Sequence, residues 1–98
     1  MINLKRLQDQ LVIDEGLELK PYRCSADKLT IGVGRNIQEV GITKGEAMML
    51  LANDIARVSG ECQREFPWFA ELTQLRKEAV INLVFNMGMA TFKKFKKT

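Results

Sequence analysis

A small α+β domain is what this sequence predicts, on three patterns. Ile2, Leu4, Leu7, Leu11 and Val12 recur at near-helical spacing. Leu29, Ile31 and Val33 alternate with Lys28, Thr30 and Gly32, the period of a half-buried strand. Thr43-Lys44-Gly45-Glu46 has the form of a capping box and is followed by Ala47, Leu50, Leu51, Ile55 and Val58 on one helical side. The 98 residues suffice for one domain with a modest core.

In chain order, the first helix covers about 3–14, with Lys5, Arg6, Gln8 and Asp9 between its apolar positions. Gly16 is placed to end it in a left-handed cap, which makes Glu15 its last residue. Pro21 blocks further helix. Residues 22–24 and 28–33 read as two strands joined by Ser25-Ala26-Asp27, which supplies turn chemistry. With Leu29 and Ile31 on the core face, Thr30 is expected to look into an open cleft. Gly32 and Gly34 suit either a backbone that another group approaches closely or a simple bend. The capping box opens a long helix reaching about residue 64, and Phe66, Pro67, Trp68 and Phe69 begin a short further one whose aromatics read as core.

The last clear helix spans about 74–87, with Val80, Ile81, Leu83, Val84, Phe85 and Met87 around much of its circumference. A helix apolar nearly all round must be buried on all sides. At roughly 25 cal/mol per Å2, leaving a few hundred Å2 of it in water forfeits several kcal/mol, against a total domain stability of about 5–15 kcal/mol. Something must cover the Val80–Met87 face: a second copy, a separate chain or a rearranged fold. A self-complementary homodimer is the simplest closed solution.

Composition narrows the chemistry. The net charge is +3, but Lys93, Lys94, Lys96 and Lys97 supply four of the positive charges, so residues 1–92 carry a net −1. A pI near 9.0 is therefore no signature of nucleic-acid binding. The tail reads as a solvated lysine-rich end or the first turn of a further helix, with long-range attraction to anionic polymers or lipid as a weaker reading. Cys24 and Cys62 lie in different elements without CxxC spacing, and the chain has no histidine. That argues against a zinc site and a disulfide framework, and it excludes any Ser-His or Cys-His nucleophile. No cofactor or metal is expected. Met1–Leu7 holds no apolar run of signal-peptide length, and no stretch approaches the roughly 20 apolar residues that span a bilayer.

The most informative spacing is that of Glu15, Cys24 and Thr30, nine and then six positions apart. A helix end, a glycine turn and a short hairpin can hold one carboxyl group across a small gap from a second side chain. Glycosidic cleavage needs such a pair: a protonated acid for the leaving oxygen, and a group opposite to activate or replace water. On spacing alone, a surface Glu and a buried Cys remain the simpler reading.

The flanking residues carry a resemblance. Glu15-Gly16-Leu17, Leu19-Lys20, Tyr22, Thr30-Ile31-Gly32-Val33-Gly34 and the helix from Arg76 to Gly88 resemble the phage-type lysozymes, the endolysins of T-even and lambdoid phages. Two separated blocks, Val12–Asn36 and Leu75–Gly88, carry it over almost the whole chain. It implies a single lysozyme-like domain. A small β-hairpin lobe with the active site would occupy about 15–42, a long connecting helix about 43–66, and an incomplete helical lobe about 67–98.

The same resemblance implies a muramidase that hydrolyses the β-1,4 bond between N-acetylmuramic acid and N-acetylglucosamine of bacterial peptidoglycan. Such an enzyme waits in the host cytoplasm and reaches the wall through a holin-type pore. Glu15 would be the general acid, its pKa raised by partial burial. Cys24 stands where many relatives have Asp, and would serve as a thiolate base or a covalent nucleophile. Thr30 would hold the attacking water. Asn82 and Asn86 either contact substrate or satisfy a buried backbone group; Arg35 either contacts substrate or pairs with an acid. Family members continue through further helices beyond Gly88. That leaves one alternative open: a catalytically inactive truncated lysozyme that self-associates or only binds glycan.

Overall fold

The computed structural model describes residues 1–95. Its elements run α1 (Leu4–Glu15), β1 (Glu18–Arg23), β2 (Leu29–Gly32), β3 (Arg35–Asn36), α2 (Ile37–Val40), α3 (Lys44–Glu65), a 3-10 helix (Pro67–Glu71), α4 (Gln74–Met87) and α5 (Met89–Phe95). They group into two compact units, the first Met1–Thr43 and the second beginning at Lys44.

In the first unit, α1 starts at Asn3, whose side-chain oxygen accepts the Arg6 N–H at 2.9 Å. The Gly16 N–H closes it on the Val12 carbonyl at 2.8 Å. Gly16 has φ 80° and ψ 167°, so its φ is positive but its ψ is extended. The chain therefore leaves the helix straight toward β1, not through the left-handed cap expected. No residue of α1 is buried.

The three strands form one antiparallel sheet in the order β1-β2-β3. Register is irregular between Glu18 and Tyr22, where Pro21 has no N–H to give the ladder. The β1–β2 turn closes when the Asp27 N–H reaches the Cys24 carbonyl at 2.8 Å, with Asp27 at φ 60°, a region that Asp tolerates. One turn of helix, α2, follows β3 directly. Asn36 caps it by accepting the Glu39 N–H at 3.1 Å, and Gln38 ties it to β2 by accepting the Leu29 N–H at 3.1 Å.

The orientation of β2 differs from expectation. Thr30 is the buried residue, 3% exposed, while Leu29 and Ile31 are half-buried. Because β2 is the central strand, Thr30 is paired on both sides, with Tyr22 and with Asn36. Burying its hydroxyl leaves nothing unsatisfied, because it donates to the Lys28 carbonyl at 2.8 Å.

The second unit holds the hydrophobic core: Val58, Cys62, Phe66, Phe69, Val84 and Phe92, with Leu72, Val80, Ile81, Met87 and Met89 packed against it. Phe66 meets Phe92 edge-on at 5.3 Å and stacks on Trp68 at 4.7 Å, geometries that favour aromatic pairs. Phe66 and Phe69 are core, as expected; Trp68, stacked on Phe66, is 37% exposed at the core's edge. Gly88 ends α4 at a positive φ of 86°, and α5 starts at once and buries Phe92. Lys93 and Lys94 lie in its last turn, where the helix dipole favours cations, and Lys93 pairs with Glu65. The reading of Lys96 and Lys97 falls outside the described residues. On α4 only Val84 is fully buried, and Leu83 and Phe85 are 47% and 42% exposed. Among the described residues, no helix is long and apolar enough to cross a membrane.

Candidate active site

Glu15, Cys24, Thr30 and Arg35 all lie in the first unit. Glu15 is the final residue of α1, and its carboxylate rests against the backbone of Gly34. A Cβ built on Gly34 would stand 3.0 Å from Oε2. Glu15 is exposed, where partial burial is the expectation for a general acid. It stands at the helix end beside the hairpin of its own unit.

Cys24 lies at the mouth of the β1–β2 turn and is half-buried. Its pKa is lowered from the ordinary thiol value. The Lys28 N–H is the main cause, followed by the Thr30 hydroxyl and the Ala26 N–H, with desolvation opposing them. Backbone N–H groups converging on one atom form an anion-holding nest. The turn builds it because the chain reverses around the sulfur: the Cys24 N–H also donates to the Lys28 carbonyl at 3.0 Å. The structure thus brings Cys24 and Thr30 together on one acceptor, with the buried Thr30 hydroxyl donating to the Lys28 carbonyl that also takes the Cys24 N–H. Spacing located both residues but could not reveal the nest, which depends on the direction of amides in a turn. The one signal for it was the turn composition Ser25-Ala26-Asp27.

Arg35 is half-buried in β3, and its Nη1 donates to the Gly41 carbonyl at 3.0 Å. That bond staples the sheet to the end of α2, so one face of the guanidinium has a structural task. Asn82 and Asn86 belong to the second unit. They are exposed and bond to one another, with Asn86 Nδ2 donating to Asn82 Oδ1 at 2.8 Å. Neither satisfies a buried backbone group. They line an open cavity of about 370 Å3 with Leu51, Ile55, Glu78, Ile81 and Phe85. Among the described residues, no group of three or more His, Cys, Asp or Glu gathers as a metal site would require.

One helix, a three-stranded antiparallel sheet and then a helical unit built on a long helix define the α+β, lysozyme-like class. Within that class, the phage lysozyme family model matches residues 13–97, and the chain belongs to this family. An endolysin of Acyrthosiphon pisum secondary endosymbiont phage 1 is 40% identical over 82 residues, covering 80% of this chain and 54% of that protein. The chain spans about half the length of that curated relative.

Proposed function

We propose that this chain carries the catalytic groups of an endolysin-type muramidase that cleaves the β-1,4 bond between N-acetylmuramic acid and N-acetylglucosamine in bacterial peptidoglycan. Glu15 gives its proton to the bridging oxygen as the C–O bond breaks. The Cys24 thiolate takes a proton from the incoming water, or bonds to the anomeric carbon and is then displaced by that water. The anomer formed first distinguishes the two routes. Buried Thr30 acts on the sulfur, and Arg35, Asn82 and Asn86 are the candidate contacts to glycan. Neither a metal nor a cofactor enters the steps.

The observation that carries this reading is that one compact unit places Glu15 at the end of α1 and Cys24 in the tight β1–β2 turn, beside the buried Thr30, with the thiol pKa lowered chiefly by the Lys28 N–H. Donors aimed at sulfur favour negative charge there, which a base or nucleophile opposite an acid needs near neutral pH. Membership of the phage lysozyme family and the endolysin relative support the same reading. On it, the protein acts at the wall and is released to it from the host cytoplasm by a holin-type pore. A homodimer or a complementing chain covers the Val80–Met87 helix.

A second reading has its own observation. Glu15 is exposed, and so are Leu83 and Phe85, as suits an inactive form that self-associates or only binds glycan. Turbidity clearing of permeabilised Gram-negative cells separates the two. Clearing by the wild type, cut at least about 100-fold by Glu15→Gln, supports the muramidase. No difference between wild type and variant supports the silent form.

A further inference from the structure

The general-acid role of Glu15 requires its carboxyl group to be held in one place, yet Glu15 is exposed at a helix end, and among the described residues no side-chain hydrogen bond locates it. What it lies against is Gly34. Oε2 would be 3.0 Å, and Cδ and Cγ 3.4 Å each, from a Cβ at that position. Three side-chain atoms thus crowd the space that any other residue would fill. Gly32, two positions earlier on the same hairpin, has nothing within 4 Å of its equivalent point. The two glycines otherwise match: φ is 72° at Gly32 and 69° at Gly34, so a Cβ strains the backbone at both.

We infer that Gly34 is a positioning residue for Glu15: its bare Cα is the seat on which the catalytic carboxylate rests. This rests on the reading of Glu15 as the general acid. The obstructing atoms belong to the free end of a flexible side chain. A methyl group at residue 34 is therefore relieved by Glu15 moving aside, not by the sheet giving way. Gly34→Ala displaces the carboxylate by a few tenths of an ångström or more, at a stability cost like that of Gly32→Ala.

A misplacement of about 1 Å in a catalytic group can lower the rate about 100-fold. Gly34→Ala should lower kcat about 10-fold with KM unchanged, while Gly32→Ala retains wild-type kcat to within about threefold at an equal loss of stability. The second readout is the Glu15 side-chain carboxyl carbon resonance in the isotopically labelled full chain. It should move in Gly34→Ala and stay in Gly32→Ala. Equal losses of kcat in the two variants, or an unmoved Glu15 resonance in Gly34→Ala, overturns the proposal. If the parent chain clears no cells while the resonance moves, the muramidase reading falls and the positioning role with it, and the contact alone stands.

Discussion

Cys24 and Thr30 are joined through a single carbonyl: the Cys24 N–H and the Thr30 hydroxyl both donate to Lys28 O, at 3.0 and 2.8 Å. The same hydroxyl faces the Cys24 sulfur. It has one proton to give. While Cys24 is a neutral thiol, that proton can stay on the carbonyl and the S–H can donate to the hydroxyl oxygen. Once the sulfur is ionised it becomes the stronger acceptor, and the carbonyl keeps its second donor. Ionisation of Cys24 therefore needs only a hydroxyl rotation.

The two cysteines should separate in their reactivity with pH. Cys24 is held below the ordinary thiol pKa of about 8.5, chiefly by the Lys28 N–H. Burial pushes Cys62 above it, assisted by the charge of Glu61. Iodoacetamide at neutral pH should label Cys24 faster than a free cysteine peptide and leave Cys62 unmodified until the chain unfolds. Thr30→Val should slow Cys24 labelling several-fold without touching Cys62. The stability contributions are opposite in sign. That of Cys24 is fully present above about pH 8.5 and is lost as pH falls through its folded pKa; that of Cys62 is present below about pH 8.5 and is lost as pH rises through its folded pKa. Mass-resolved labelling rates across pH provide the check.

Replacing the sulfur should distinguish charge from shape. The nest that favours a thiolate also suits a carboxylate, so Cys24→Asp should keep or raise wall clearing. Cys24→Ala should lower it about 100-fold or more, and alkylation of the native thiol should abolish it. A Cys24→Asp protein as inactive as Cys24→Ala would remove Cys24 from the mechanism.

Core truncation should be costly only in the second unit's centre. Phe69 is 1% exposed, so Phe69→Ala should cost about 3–5 kcal/mol. Trp68→Ala removes a ring that is 37% exposed and stacked on Phe66, and should cost about 1 kcal/mol. Urea unfolding midpoints measure both.

Self-association is the expected outcome of the exposed α4 face. Burying the exposed parts of Leu83 and Phe85 would gain about 1 kcal/mol each. Sedimentation equilibrium should show a concentration-dependent dimer that Phe85→Glu disrupts. A strictly monomeric wild type over a wide concentration range would point to a complementing chain as the cover.

The long helices were legible because periodicity and caps act locally. The expected 74–87 is α4 as observed, and the helix expected to start at the capping box begins at Lys44 and ends at Glu65. Shorter elements were not. β3 and α2 have two and four residues, too few for a period to declare itself. α5 follows Gly88 with no intervening loop; the lysine-rich end was read either as solvated or as the first turn of a further helix, and seven residues are too few to decide by periodicity. Thr30 was misread because alternation gives two faces but not which one is covered. The structure answers that: Thr30, at 3% exposed, is the covered residue. The Glu15, Cys24 and Thr30 set rests on the family resemblance, since spacing alone favoured a surface Glu and a buried Cys, whereas the amides around sulfur depend on turn geometry that no single residue encodes.

Among the described residues of the first unit, the one buried side chain is a threonine. The sheet bearing Cys24 and facing Glu15 is thus held chiefly by backbone ladders and turn bonds, with no fully buried hydrocarbon side chain among the described residues of its own unit. Opening such a segment uncovers little new apolar surface. Its amides should exchange through local fluctuations whose free energy depends only weakly on urea, whereas those of α3 and α4 around Phe69 should follow the steep dependence of global unfolding. The candidate catalytic groups should then prove to be carried by the more easily opened of the two units.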